Sequence, residues 1–180
     1  MDVLSLQRGR PNDYEERLDK ERRVYDLLDK LDIEYSRVDH EALATMEACQ
    51  EVDELLKVNM CKSLFLCNAQ KTNFYLLLMP GEKKFKTKDL SHQIGSARLS
   101  FAAADDMERL LDITPGSVSV MGLMNDPDNK VHLIIDKDIL CDKCFACHPC
   151  INTSSIKFMM EDLKDKILPA INHSAILVEL

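Results

Sequence analysis

Residues 61–79 read CKSLFLCNAQKTNFYLLLM, and the distribution of apolar and polar residues within them sets the fold class. Two runs, 61–67 and 73–79, are rich in aliphatic and aromatic residues and flank the polar stretch Asn68-Ala-Gln-Lys-Thr72. That is the pattern of a β-hairpin. Upstream, Asn12 with Asp-Tyr-Glu15 reads as a capping-box-like start, and Tyr14, Leu18, Tyr25, Leu28 and Leu31 recur at helical spacing up to about Asp32. Ile33 to Val38 alternates as a strand, and Thr45 opens a second helix through Met46, Cys49, Val52, Leu55 and Leu56. Downstream, Lys86 to Ile94 and Ala103 to Leu111 carry helical patterns around a brief strand at Arg98 to Phe101. Val118 to Met124 and Val131 to Asp136 read as the next strand pair, turned by Asn125-Asp-Pro-Asp-Asn129. Ile156 to Met159 reads as a strand, Met160 to Ala170 as a helix and Ala175 to Glu179 as a last strand. Strands and helices interleave without the period of a doubly wound fold, so the expected class is α+β: one domain, a mixed β-sheet and surrounding helices.

Composition agrees with a single domain. A chain of 180 residues that is 46% hydrophobic has enough apolar material for one core. Its longest apolar stretches, Asn73 to Pro80 and Ala175 to Val178, fall far short of the ~20 residues that span a bilayer. The first residues lack the apolar core and small-residue cleavage site of a secretory signal, so a soluble cytoplasmic protein without a membrane partner is expected. In a reducing compartment the seven cysteines are core residues, ligands or nucleophiles rather than a disulfide framework. The net charge of -8 argues against a broad nucleic-acid footprint. Lysines cluster only in Gly81-Glu-Lys-Lys-Phe-Lys-Thr-Lys88, either a solvated loop or a local phosphate contact.

Three places carry possible chemistry. Alternation puts Lys62 at the head of an apolar row with Leu64 and Leu66. Its ammonium either snorkels from a strand end or meets an anion at the mouth of a pocket. In Thr114-Pro-Gly-Ser-Val-Ser-Val-Met-Gly-Leu-Met-Asn-Asp126 a glycine after proline and two serines can present backbone N–H groups to one point, as an oxyanion hole does, or can simply form a turn. Finally, Cys141, Cys144, Cys147 and Cys150 stand three apart with His148-Pro149 between the last two. This approaches ferredoxin spacing but departs at the fourth cysteine, and it lacks the separated ligand pairs of a zinc ribbon. Packing as small hydrophobes is the reading preferred over a metal.

From about Asp19 to the C-terminus the chain resembles the YbaK/ProX family of aminoacyl-tRNA editing proteins, relatives of the insertion domain of bacterial prolyl-tRNA synthetases. The landmarks are Tyr35-Ser-Arg-Val-Asp-His40, Ala44-Thr-Met-Glu-Ala48, Cys61-Lys-Ser-Leu-Phe-Leu66, Arg98-Leu-Ser-Phe101, Pro115-Gly-Ser-Val-Ser119, Gly122-Leu-Met-Asn-Asp126 and His148-Pro-Cys-Ile-Asn-Thr153. The resemblance divides the chain into an N-terminal extension, residues 1–18, and a deacylase domain, residues 19–180. It implies hydrolysis of the ester between an amino acid and the terminal ribose of mischarged tRNA(Pro). The His-Pro-x-x-Asn-Thr element resembles the ProX branch, which deacylates alanyl-tRNA(Pro), more than the YbaK branch, which clears cysteinyl-tRNA(Pro). The implied catalytic set is Lys62, Gly116, Ser117, Ser119, Asp126 and His148, with Lys62 on the terminal phosphate, the glycine loop along the reacting carbonyl, and His148 as a wall admitting alanine and excluding proline. Substrate contacts are implied at His40, Thr45, Leu64, Val118, Val120, Met121 and Asn152. Steric exclusion at a second site is needed because a missing methylene is worth only ~1–3 kcal/mol to a synthetase. Water is the expected nucleophile, and no cofactor or metal is implied. The partners would be the aminoacylated acceptor end of tRNA and a prolyl-tRNA synthetase. Two departures stand out: Val120 occupies a position where relatives commonly carry proline, and the four cysteines lie outside the family pattern. They leave a rival reading, an inactive homologue that binds metal or responds to redox through those thiols.

Overall fold

Residues 61–79 fold as the hairpin their pattern calls for. The strands pair antiparallel from Cys61↔Pro80 to Cys67↔Phe74, and Asn68 closes the turn by accepting the Thr72 and Asn73 amides at 2.9 and 3.0 Å. In this computed structural model, residues 4–42, 46–59 and 61–180 are described, apart from the side chains of 46–48. In chain order the strands are β1 (Leu6–Arg8), β2 (Ser36–Asp39), β3 (Cys61–Asn68), β4 (Phe74–Pro80), β5 (Leu99–Phe101), β6 (Val131–Asp136), β7 (Cys144–Cys147), β8 (Ser154–Met159) and β9 (Ala175–Val178). The helices are α1 (Asp19–Lys30), α2 (Met46–Leu56), α3 (Thr87–Ile94), α4 (Ala104–Leu111) and α5 (160–170, π-helical over Leu163–Ile167).

These strands form two sheets rather than one. The first is antiparallel, in the order β1-β2-β8-β7; the second is mixed, in the order β5-β3-β4-β6-β9, with β6 parallel to both β4 and β9. The α+β class holds. Period-two alternation sorts the hairpin between two cores: Phe65, Leu76 and Leu78 join the large cluster that includes α1, α4, α5, β7 and β8, while Leu66, Leu77 and Met79 pack with Leu90 of α3. A third cluster of Val38, Val52 and Leu56 seats α2 against the first sheet. Among the described residues no helix is long and apolar enough to cross a membrane.

Two further sequence expectations are corrected. Val118 to Met124 is not a strand: Val120–Asn125 forms a 3-10 helix capped by Ser119, whose Oγ accepts the Met121 amide at 3.1 Å. Val120, Met121 and Leu123 are all buried, and a short apolar run buried on every side has no periodicity to tell the two states apart. The first helix is also interrupted. A 3-10 turn at Tyr14–Glu16 ends at extended Arg17, and α1 starts only at Asp19. Extended backbone at Arg17 accompanies ion pairs to Asp13, Glu21 and Asp39.

The N-terminal residues are tied to this framework. β1 pairs with β2 from Leu6↔Val38 to Arg8↔Ser36. Buried Arg37 donates to Gln7 Oε1 at 2.5 Å and to the Gly9 carbonyl at 3.4 Å, and it also contacts Asp39. Arg10 reaches Asp26 and Asp29 of α1.

Candidate active site

A cleft of about 320 Å³ opens where α2, the start of β3, the 114–119 loop and the β7–β8 connection meet. Gly116 and Val118 form one wall, Cys147 and His148 a second, Ser155 and Ala146 a third, and Cys61 and Ser63 of β3 a fourth. Helix α2 closes it with Cys49, Val52, Asp53 and Leu56, residues at the spacing of one helical face.

The loop is built by its own polar groups. Gly116 lies at φ +89°, a left-handed conformation that L side chains resist, although a Cβ there would meet only Asn152 Nδ2 at 3.8 Å. Ser117 Oγ donates to the Thr114 carbonyl at 2.8 Å and accepts the Thr114 amide at 3.2 Å, and the Ser117 amide returns to the same carbonyl at 3.0 Å. Ser119 caps the 3-10 helix. Both hydroxyls thus hold the loop in shape. The Gly116 and Val118 amides find no acceptor among the described residues, so they remain available to an oxyanion. Val120 occupies the first position of the 3-10 helix, where proline is readily accommodated because the N–H there has no intrahelical partner; the Ser119 cap orders this turn without it.

Two imidazoles stand together, with ring centroids 6.1 Å apart. Nδ1 of His148 faces the Ser154 carbonyl at 2.7 Å and Nδ1 of His40 faces the Glu41 carbonyl at 2.8 Å. A carbonyl only accepts, so each Nδ1 carries the proton and each Nε2 is left as an acceptor. His40 Nε2 takes the Ser155 hydroxyl at 2.9 Å; His148 Nε2 has no partner among the described residues. Burial lowers the pKa of both rings, which keeps them neutral near pH 7.

The remaining expected site residues divide. Asn152 sits beside Gly116, and His40 stands behind Ser155 rather than at the cleft surface. Val120 and Met121 are in the core. Lys62 and Leu64 are not brought to the cleft: strand alternation turns them to the other face of β3, where they line a separate groove, and Lys62 Nζ donates to the carbonyls of Gly81, at 3.3 Å, and Lys83. Asp126 is likewise elsewhere. Its carboxylate is buried, accepts the Lys130 and Val131 amides at 3.0 and 2.8 Å, and meets His173 Nε2 at 3.3 Å; it holds the turn into β6. Thr45 lies outside the described residues.

Ser63, Ser155 and Asp53 were not expected at the site. Ser63 follows from Lys62 by alternation, and Asp53 was visible as a carboxylate on the apolar face of α2. Burial raises the Asp53 pKa. Ser155 carried no local signal, because only the pairing Val38↔Ser155 brings it beside His40.

The thiols do not converge on a metal. Cys144 and Cys147 point to opposite faces of β7, Cys141 is exposed and Cys150 is buried. Among the described residues no three His, Cys, Asp or Glu side chains form a group able to hold a metal ion. Burial pushes the Cys61 and Cys150 thiols up to about 12, and raises Cys147 as well. They behave as small apolar residues.

Residues 40–166 match the model of the aminoacyl-tRNA editing domain. The chain belongs to that family. The editing chain is 32% identical over 163 residues to the prolyl-tRNA editing protein ProX of Acetoanaerobium sticklandii, covering 91% of this chain and 99% of that one. It is 28% identical over 130 residues to the prolyl-tRNA synthetase associated domain-containing protein 1 of Mus musculus, covering 69% and 76%. A crystal structure described as a candidate trans-editing enzyme for prolyl tRNA synthetase superposes with a TM-score of 0.64 at 15% identity, over 91% of this chain and 99% of its own length; that likeness shows the shared fold. By family, the editing chain is an aminoacyl-tRNA deacylase. The rival reading through metal-binding thiols is not favoured.

Proposed function

We propose that the editing chain clears mischarged tRNA(Pro) in trans and that its preferred substrate is the alanyl ester. The observation that carries this is the cleft itself: two unengaged main-chain amides, a neutral imidazole with a free Nε2, and side walls of Cys147, Ala146 and Val52 around about 320 Å³. Water adds to the ester carbonyl carbon, and the Gly116 and Val118 amides take the charge that develops on its oxygen. The ester C–O bond then breaks, a proton passes to the departing ribose oxygen, and the products are the free amino acid and uncharged tRNA. His148 Nε2 accepts a hydrogen bond from the incoming water, and its ring limits the side chain that enters. The Asp53 carboxylate faces the α-ammonium carried by every aminoacyl ester. Ser155, oriented by His40, offers its oxygen as a further acceptor.

The test compares hydrolysis of alanyl-, cysteinyl- and prolyl-tRNA(Pro) by the purified protein. Alanyl ester is expected to be lost fastest and prolyl ester to persist. Faster loss of the cysteinyl ester would reassign the substrate, and no loss of any ester would end the deacylase mechanism drawn here. Binding to a prolyl-tRNA synthetase is part of the same proposal, and co-purification of the two checks it.

A further inference from the structure

The lysine-rich stretch 81–88 has no role in the cleft, and the structure gives it a place. A groove of about 510 Å³ lies on the face of the second sheet opposite the cleft side of β3, lined by Lys62, Leu64, Phe85, Lys86, Lys88 and Phe101. Phe101 is 63% exposed and meets Phe85 edge-on, with centroids 6.2 Å apart. With Phe85 and Leu64 it makes a contiguous apolar floor to the groove rather than a single scattered apolar residue. Several lysines of this acidic protein are paired: Lys83 with Asp136 and Asp138, Lys71 with Asp106, Lys137 with Glu179. Among the described residues Lys62, Lys86 and Lys88 form no ion pair, so three ammonium groups stand uncompensated around two phenyl rings in a chain of net charge -8.

Cleft and groove are separated by a single strand. Cys61 and Ser63 face the first, Lys62 and Leu64 the second. β5 covers the outer edge of β3 only over Leu66–Asn68, which leaves the edge of its first half uncovered by that strand. A chain leaving the cleft can therefore cross this edge into the groove. Exposed rings for stacking and lysines for a backbone of phosphates are the two components of single-strand recognition.

We infer that this groove holds the unpaired nucleotides that precede the terminal adenosine of the substrate tRNA, stacked on Phe101 and Phe85 with their phosphates beside Lys62, Lys86 and Lys88. The inference rests on the deacylase reading above, and it explains how an acidic protein holds RNA: the basic surface is confined to the few nucleotides beyond the duplex.

The experiment uses an uncharged RNA hairpin ending in an unpaired ACCA tail and the same hairpin with a blunt end, titrated against the full-length protein by fluorescence anisotropy. The tailed hairpin is expected to bind more tightly than the blunt one. Phe101→Ala should weaken the tailed hairpin about tenfold, the range of one lost stacking contact, without changing the blunt one or the melting temperature. Lys86→Ala with Lys88→Ala should lower the salt dependence by roughly 0.7 in logarithmic slope for each lysine. In deacylation, Phe101→Ala should raise KM for alanyl-tRNA and leave kcat and the hydrolysis of alanyl-adenosine unchanged. Equal binding of tailed and blunt RNA, or tail binding indifferent to Phe101→Ala, overturns the inference and would assign the groove to a protein partner. Tail-specific binding by a protein that hydrolyses no ester would instead overturn the deacylase reading and leave the groove standing. Hydrolysis that ignores Phe101→Ala would do the reverse.

Discussion

In the mechanism proposed above, His148 joins two properties, a ring that fills space and a nitrogen that accepts a hydrogen bond from the attacking water. Replacing it by alanine removes both. His148→Ala is expected to lower alanyl-tRNA hydrolysis by about 10²–10⁴-fold, the usual contribution of a positioned base, and to admit larger side chains, so the prolyl-to-alanyl ratio should rise; an unchanged ratio would remove His148 from the wall. The pH dependence has a definite sign. Burial lowers the pKa of His148 and His40 below the ordinary 6.5, so the unfolded chain binds more protons than the native one as pH falls through that window. The contribution to stability is complete above about pH 6.5 and is lost as pH falls through the native values. Thermal melts from pH 8 to pH 5 should be flat at first and then decline. Activity should follow the same course, since a protonated Nε2 no longer accepts. At Gly116, alanine would fit the space but not the φ of +89°, so Gly116→Ala should cost roughly 1–2 kcal/mol and reduce kcat through the displaced amides.

At the scale of elements, the 3-10 helix Val120–Asn125 carries the loop and is itself wedged against α4. A Cβ on Gly122 would lie 3.2 Å from Leu111 Cβ and 3.3 Å from both Ile113 Cδ1 and the Leu111 carbonyl. The backbone therefore needs glycine there for closeness and not for its dihedral angles. Gly122→Ala is expected to destabilise by about 1–3 kcal/mol and, by pushing the helix off α4, to raise KM as well; a chemical denaturation curve and a substrate titration check the two effects separately. The hairpin, α3, α4 and β6 were legible because each alternates or repeats against a definite core. Val118 to Met124 was not, because a run buried on every side looks alike as strand or helical turn. The break at Arg17 escaped for another reason: its ion pairs to Asp39 are made across 22 positions of sequence, beyond any local pattern.

Over the whole molecule, Leu6–Arg8 is a strand of the first sheet. Arg37 is buried and donates hydrogen bonds to Gln7 Oε1 and the Gly9 carbonyl, so a chain starting at Asp19 would take two acceptors from a buried charged group and leave it with Asp39. Each hydrogen bond to such a group contributes about 1.5–3 kcal/mol, and the truncated protein should melt at least several degrees lower. The cysteines behave oppositely. Cys141→Ser, at an exposed position, is expected to change stability by no more than about 0.5 kcal/mol and to leave deacylation unaltered, as assays of the variant would show.

The linear order of residues determined the α+β class, the hairpin, the glycine loop and the family, because alternation, helical spacing and turn chemistry are local properties that survive without neighbours. It also placed Gly116, Val118 and His148 together by resemblance, and the cleft brings these three to one place. Tertiary structure alone decided the rest. Whether Lys62 or Ser63 faces the loop depends on which side of β3 the α2 helix covers, whether Asp126 is chemical or structural depends on the amides that fold back onto it, and Ser155 reaches His40 only because β8 pairs with β2. Proximity of groups far apart in the chain is fixed by packing, which one-dimensional patterns do not encode.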